Sequence, residues 1–351
     1  MTAMNSRERM LAAIRRQPVD RIPLDIWATG EVNHKLTTHF GDWETVKREL
    51  HLDGFTGAGA PYIGPKPKEG CDEWGNRHRV AEYNGGAYWE QYHHALAYAQ
   101  TVDDVLAYDW PQPSWWDYSG MRSTCLEGRK THVVSCGYMA PFYFHNQLRG
   151  LEQSLVDPYE CPELAHVLLQ KLSDFFYGKH RAMFEACEGV IDVCQVTDDL
   201  GSQTGPLMSL EVYREFYKPH HARFCKLCKE FGIHVFHHDD GSCRLFLPDL
   251  AEMGVDVLNP VQHNCPGMDM KELKREFGGK FCFHGGVDNQ KILPFGTTDE
   301  VRAEVRQCID NLASDGTGYI LAPCHNLQIV TPLENILALY DEAWSYGKNK
   351  K

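Results

Sequence analysis

The chain has 351 residues, of which 43% are hydrophobic and 24% charged, and its formal net charge is −13. An acidic balance with no clustered Lys/Arg face excludes nucleic acid as the main partner. No apolar run approaches the roughly 18 residues that span a bilayer, which excludes a helical membrane protein, and the length suits one large α/β domain or two average ones.

The first predicted element is a short amphipathic helix over Ser6 to Arg16, with Met10, Leu11 and Ile14 on one side; Pro18 and Pro23 stop it. A first strand is expected over Arg21–Trp27, then helix from Thr29 to Leu50 broken at Gly41, then a second strand over His51–Ala58. From Ala60 to about Lys130 the pattern is irregular, rich in Pro, Gly and aromatics. Trp74-Gly75-Asn76 and Tyr83-Asn84-Gly85-Gly86 resemble hairpin turns there, and the stretch from Trp110 to Tyr118 suits a cover over the mouth of the fold.

After that the alternation is regular. Strands are predicted over Thr131–Gly137, Val190–Val196, Ile233–His238, Val255–Asn259, Lys280–His284 and Gly318–Pro323. The helices between them carry their own start signals. One runs from about Glu163 to Cys187 and opens at Asp157-Pro158 or Cys161-Pro162, with proline in its first-turn place. Ser209 caps a helix to about Lys229, and Thr297 with Glu300 forms a capping box for the helix to Leu312. Further helices are expected over Arg244–Met253 and Met268–Phe277. Thr331-Pro332-Leu333-Glu334 starts the last one, with Thr at the cap.

Eight strands alternating with helices imply a (β/α)8 TIM barrel in a single domain, residues 1–351, with a β-hairpin and loop insertion at about 60–130 after the second strand. An open doubly wound sheet is the rival, but no GxGxxG follows the first strand. The thirteen cysteines do not form a secreted framework: their number is odd, and Met1 to Arg16 is polar and charged where a leader needs an apolar core. The thiols are expected to be reduced and the protein cytoplasmic. Cys225-Lys226-Leu227-Cys228 has no second CxxC and reads as helix packing rather than a zinc knuckle.

In such a barrel the residues just after each strand face one pocket. The fifth strand ends in His237-His238-Asp239-Asp240-Gly241, an abrupt switch from apolar to ligand-type side chains. His238-x-Asp240 is a candidate metal pair, and Cys324-His325 after the last strand offers a third ligand; three protein ligands with an open fourth position is a catalytic zinc pattern. The plainer reading is a histidine hydrogen-bonded to a neighbouring carboxylate. His237 points the other way and reads as structural. Asp198-Asp199 is the second constellation; one of the two carboxyls suits a general acid or base, while a loop or helix-end role serves equally for the other. Gln203, Asn259, Asp288 and the pair His145-Asn146 complete the candidate substrate-binding set. Gly285-Gly286 either admits a ligand to the backbone or forms a turn.

These residues resemble the uroporphyrinogen decarboxylase superfamily, and within it the corrinoid-linked methyltransferase branch. The resemblance runs in order through Arg7-Glu8-Arg9, Asp20-Arg21-Ile22-Pro23, Asp198 to Gln203, His238 to Gly241, Asp256 to Gln262, Gly285 to Asp288, Ala322 to His325 and Glu334-Asn335-Ile336. It implies the (β/α)8 barrel and, for the methyltransferase branch, zinc as a metal cofactor and a corrinoid supplied by a partner protein. The decarboxylases grip a porphyrinogen with an arginine-bearing segment after the first strand; here Asp25 to Glu31 holds no arginine. The thiol-methylating members resemble His-x-Cys with a later Cys; here Asp240 stands in place of the first cysteine, and Cys324 or His325 falls near the later one.

Imidazole and carboxylate ligands suit a harder ion than thiolates do, one able to polarise an ether oxygen. The expectation is therefore a corrinoid-dependent methyltransferase, the O-demethylase component that moves a methyl group from a methoxylated, aromatic small molecule to cobalt. The aromatic-rich stretch Tyr83 to Tyr118 suits such a substrate. Three alternatives stay open: methyl transfer from methylcorrinoid to a thiol or folate acceptor, a decarboxylase using Asp199 as proton donor without metal, and a non-catalytic barrel that binds a corrinoid or its carrier. The partners expected are a corrinoid protein and the methyl donor, with a homodimer left open.

Overall fold

The computed structural model describes residues 3–83 and 86–348. Among these, nine strands follow in chain order: β1 Phe55–Thr56, β2 Arg77–Tyr83, β3 Gly86–His93, β4 Val133–Met139, β5 Val193–Val196, β6 His234–His238, β7 Val257–Asn259, β8 Cys282–Val287 and β9 Tyr319–Pro323. Seven of them form one parallel sheet in the order β1-β4-β5-β6-β7-β8-β9. Each strand pairs with the next in sequence, so every crossover turns the same way and the sheet curls. Strands β7, β8 and β9 are buried at every position, as a parallel sheet covered on both faces requires.

The predicted first strand survives only as a short segment. Leu24 bridges Leu321 of β9 in the parallel sense, and its carbonyl accepts from the Asp53 and Gly54 N–H groups at 2.8 and 3.4 Å. The segment thereby laces the two sheet edges together, but Pro23 has no N–H to donate and the ladder cannot lengthen there.

One end of the curled sheet is closed by the chain's own N-terminus. The helix Ser6–Ile14 starts in a capping box between Asn5 and Glu8. Its Met10, Leu11, Ala13 and Ile14 pack into a cluster with Val133, Val193, Phe236, Val257, Cys282 and Ile320, one residue from each of β4 to β9. Each such side chain, fully buried, contributes about 1.5–3 kcal/mol. Around this plug runs a ring of ion pairs. Asp53, with no exposed side-chain surface, accepts from Arg9 at 2.5 Å, from Arg21 at 2.7 Å and from the Leu24 N–H at 3.0 Å. Arg7 donates to Asp192 at 2.6 Å, and Arg9 also grips Asp20.

Between β1 and β4 the chain makes an antiparallel pair, β2 with β3, in register from His78↔Gln91 to Tyr83↔Gly86, with a shift of one residue before it at Arg77↔His93. Asn84 and Gly85, the centre of one expected turn, lie outside the described residues. The other expected turn, at Trp74-Gly75-Asn76, is no hairpin turn. It precedes β2 and is held by Asp72, whose carboxylate accepts from the Trp74 and Asn76 N–H groups. The pair leans toward the carboxyl ends of the parallel strands: Tyr83 Oη donates to Gln328, and Ala87 N–H donates to Glu31. The stretch from Trp110 to Tyr118 packs sideways instead, with Trp116 against Phe175 of the helix Pro162–Ala186 and Trp110 against Trp74.

Several helices differ from expectation: Leu151–Glu160 precedes the helix that opens at Cys161-Pro162 and holds Pro158 inside it, and Met121–Gly128 lies in the stretch expected to be irregular. Pro141–Arg149 is helical where a loop was expected, because Asp198 caps it from 55 residues away, accepting from the Phe142 and Tyr143 N–H groups at 2.8 Å each. The last helix, Leu333–Gly347, starts after Pro332 with no side-chain cap; the Thr331 side chain sits one residue too early to serve. No helix among the described residues is long and apolar enough to cross a membrane.

Candidate metal centre at the strand ends

Along β6 the side chains alternate between the interior and the surrounding helices. Phe236 faces inward with the plug, and His238, two residues on, shares its face at the strand's end. His237 points outward to His221 across 5.7 Å between rings and donates from Nδ1 to the Val196 carbonyl. Burial pulls His237 down to about 3, so it stays neutral.

His238 sits at the head of a hydrogen-bond chain. Its register partner is Asn259, the last residue of β7. The chain runs His238 Nδ1 to Asn259 Oδ1 at 2.5 Å, Asn259 Nδ2 to His284 Nδ1 at 2.7 Å, and His284 Nε2 to Asp25 Oδ2 at 2.9 Å. A carboxylate only accepts, so His284 carries its proton on Nε2 and accepts on Nδ1 from the amide of Asn259. The amide oxygen then accepts from His238 Nδ1–H. The result is a His238 whose Nδ1–H is held by Asn259 and whose Nε2 is presented at the strand ends, the arrangement by which outer hydrogen bonds orient a metal-ligating histidine. Trp27 covers the chain, its ring 5.5 Å from that of His238 and 5.7 Å from that of His284.

Around that nitrogen stand three groups that are close but not bonded. Nε2 of His238 lies 3.7 Å from Asp199 and 3.8 Å from Asp240; Nε2 of His325 lies 3.8 Å from the same Asp240 oxygen. One donor atom from each of His238, Asp240 and His325 falls within 4.8 Å of the others. Two ligands about 2.1 Å from a tetrahedral ion stand about 3.4 Å apart, so each imidazole is within a few tenths of an ångström of that spacing from Asp240. Burial raises the Asp240 carboxyl, against the pull of His238 and His325, and burial lowers His325. Each group thus lacks the partner its charged form needs. Two imidazoles and a carboxylate with an open fourth position fit zinc or a comparable divalent ion.

The loops that carry these groups are locked to each other. Asp239, not singled out from the sequence, is fully buried and accepts from the Leu200 and Gly201 N–H groups at 2.8 and 3.1 Å. A Cβ on Gly201 would collide with the Asp240 carbonyl, and one on Gly241 (φ +79°) with Ser202, so the loops after β5 and β6 touch backbone to backbone.

The remaining candidates divide. Asp199 reaches the cluster and accepts from the Asp240 N–H at 3.2 Å. Asp198 is turned away, capping Pro141–Arg149 and pairing with His221 at 3.1 Å. Gln203 bonds Gln262 beyond the cluster, at 3.2 Å. Asn259 holds His238 rather than facing the opening. Asp288 caps the turn after β8, accepting from Gln290 and Lys291. His145 is buried on a helix, not in a loop; its two ring nitrogens meet Tyr217 Oη and Asp157, both at 3.0 Å, while Asn146 bonds Ser154. Cys324 points its thiol to the Val261 carbonyl at 3.3 Å, and burial holds it well above its ordinary pKa, so His325 and not Cys324 joins the cluster. Gly285 and Gly286 lie inside β8, where Pro260 and Leu312 fill the space a side chain would take.

A curled parallel sheet that gathers ligand-type side chains at the carboxyl ends of its strands defines a TIM-barrel-like α/β protein. The family model of uroporphyrinogen decarboxylase (URO-D) matches residues 124–346, more than half of the chain. The chain belongs to the uroporphyrinogen decarboxylase family. Among curated proteins it is similar to the methylated-thiol–coenzyme M methyltransferase of Methanosarcina mazei, 28% identical over 205 residues that cover 57% of this chain and 49% of the relative. It is likewise similar to the methylcobamide:CoM methyltransferase of Methanosarcina barkeri, 28% identical over 43% of this chain and 41% of the relative. The uroporphyrinogen decarboxylase of Thermus thermophilus is 30% identical over 49% of this chain and 46% of its own length. The chain spans about half the length of the curated relatives it matches. A solved structure, a methyltransferase from Methanosarcina mazei, superposes with a TM-score of 0.67 over 98% of this chain and 99% of that one at 20% identity, a likeness of fold.

Proposed function

We propose that this chain is a corrinoid-dependent methyltransferase, the component of an O-demethylase system that takes a methyl group from a methoxylated aromatic compound and delivers it to the cobalt of a corrinoid carried by a partner protein. The observation that carries this reading is the His238–Asp240–His325 cluster, with Asp240 where the resemblance to thiol-methylating members implies a cysteine. His238, Asp240 and His325 would hold zinc, and such an ion supplies a Lewis acid to an ether oxygen. Asp25, His284 and Asn259 keep the His238 lone pair free for it. Asp199, half exposed beside His238, is placed to orient the substrate and to return a proton to the oxygen that loses its methyl group. The same reading takes the fold as a closed (β/α)8 barrel, with Ile22–Asp25 as its first strand and β2–β3 as an insertion.

A decarboxylase is the second reading, favoured by the similarity to the Thermus enzyme. Against it, the segment Asp25 to Glu31 offers no arginine to a polycarboxylate. Metal analysis of the pure protein and of His238→Ala separates the two. The expected result is stoichiometric metal in the parent and none in the variant, with methylation of free cob(I)alamin by a methoxylated aromatic seen only with the parent. Metal that persists in His238→Ala overturns the site; no metal in either protein favours the decarboxylase.

A further inference from the structure

Lys179 is out of place for a surface lysine. It lies on the helix Pro162–Ala186 with its ammonium 3.8 Å above the ring of Trp116, and among the described residues it has no hydrogen-bond or ion-pair partner. It lines a cavity of about 420 Å³ between that helix and the strand ends of β4 and β5. Roughly 300–1,000 Å³ is usual for a small-molecule site, so the space suits a single substituted ring better than a tetrapyrrole. Tyr118, Tyr138, Phe144 and Phe176 supply aromatic walls.

One buried polar atom of the cavity lining is unsatisfied. His180, fully buried, donates from Nδ1 to the Phe176 carbonyl, which leaves Nε2 as an acceptor with no partner. Ser135 and Gln195 make no side-chain hydrogen bond among the described residues. Buried polar groups without partners are uncommon, and His180 is one beside the half-buried Ser135 and Gln195. Burial draws Lys179 down to about 8 against the charge of Glu73, which lies beyond ion-pair distance. The cavity also leads toward the His238–Asp240–His325 cluster. Ser135 and Gln195 line a second space of about 250 Å³ together with Trp27 and Phe236, and Trp27 packs against His238.

We propose that this cavity holds the ring of the substrate and that Lys179 selects rings bearing a carboxylate, so that the methyl donors are methoxybenzoates rather than neutral aryl methyl ethers. The assignment rests on the methyltransferase reading for the methoxy group, but the recognition itself is read without any methyl transfer. Titration calorimetry on the full chain, with no corrinoid present, compares 3-methoxybenzoate, the neutral 3-methoxybenzamide and butyrate. The parent is expected to bind the benzoate at least tenfold more tightly than either of the others. Lys179→Met is expected to lose that preference, and Lys179→Arg to keep part of it, with thermal melts confirming that both variants are folded.

Equal binding of benzoate by the parent and Lys179→Met overturns the proposal, as does equal binding of benzoate and benzamide by the parent. Butyrate bound as tightly as benzoate overturns the ring assignment. Charge-selective binding without methyl transfer removes the methyltransferase reading alone. Methyl transfer indifferent to Lys179 removes this cavity alone.

Discussion

The two ends of the curled sheet use the same residue types to opposite effect. At the closed end Arg7, Arg9, Arg21, Asp20, Asp53 and Asp192 meet at hydrogen-bonding distance, and Asp53 accepts from two guanidinium groups and a backbone N–H at once. At the open end the side-chain pairs His238–Asp199, His238–Asp240 and His325–Asp240 stand 3.7–3.8 Å apart, beyond hydrogen-bonding distance, although Asp199 also accepts from the Asp240 backbone N–H. Saturated charges hold a structure together; charges gathered but left unpaired hold a place for something else. Satisfaction of donors and acceptors, more than burial or composition, separates scaffold from site in this molecule.

The comparison breaks most visibly at Asp53. Asp53→Ala leaves the nearly buried Arg21 without a carboxylate and takes one of two from Arg9, and loss of one partner in a buried pair costs about 3–5 kcal/mol; urea unfolding should show this loss with metal content unchanged in the folded fraction. At the other end Asn259→Leu removes both links of the hydrogen-bond chain behind His238. Metal affinity should fall roughly 10–100-fold, as for other outer-shell losses, measured by competition with a chromophoric chelator. Affinity equal to the parent would mean that the chain does not prepare the histidine.

Acid reaches the closed end more gently. Burial alone would raise Asp20, but hydrogen bonds from Arg9 and Met4 and the charges of Arg9 and Arg21 outweigh it, leaving its carboxyl at about 2 against an ordinary 3.8. A depressed carboxyl stabilises the fold above its unfolded value, and that contribution is lost as pH falls from about 3.8 through about 2. Asp20→Asn should flatten that window in unfolding measured from pH 2 to 6, an effect of about 1 kcal/mol or less once solvent screening is counted. The smallest change is expected at Cys324. Cys324→Ala should leave bound metal unaltered in elemental analysis; loss of the metal would return the thiol to the ligand set.

Local signals were the legible ones. The capping box of Thr297 with Glu300, the Ser209 cap and the apolar run that breaks into ligands at His238 are each complete within a few residues, and each stands where the sequence places it. The features that escaped depend on distant partners. The Pro141–Arg149 helix takes its cap from Asp198, and without that partner His145 reads as a loop residue. Asn259 reads as a substrate contact until the β6–β7 register sets it beside His238. The first strand was visible as an apolar run, but its shortness follows from Pro23 and from pairing with both edges of the sheet.

The hydrogen-bond chain from His238 ends on Asp25, next to the residue that joins β9 to β1, and it crosses 259 positions of sequence between His284 and Asp25. The lone pair at the open end is therefore set only when the first and last thirds of the chain have met. A nascent or nicked polypeptide in which the segment near Leu24 has not docked leaves His284 without its acceptor and His238 free to choose either tautomer. Competence to capture an ion would then arrive together with closure of the ring, so that metal content serves as a readout of completed folding.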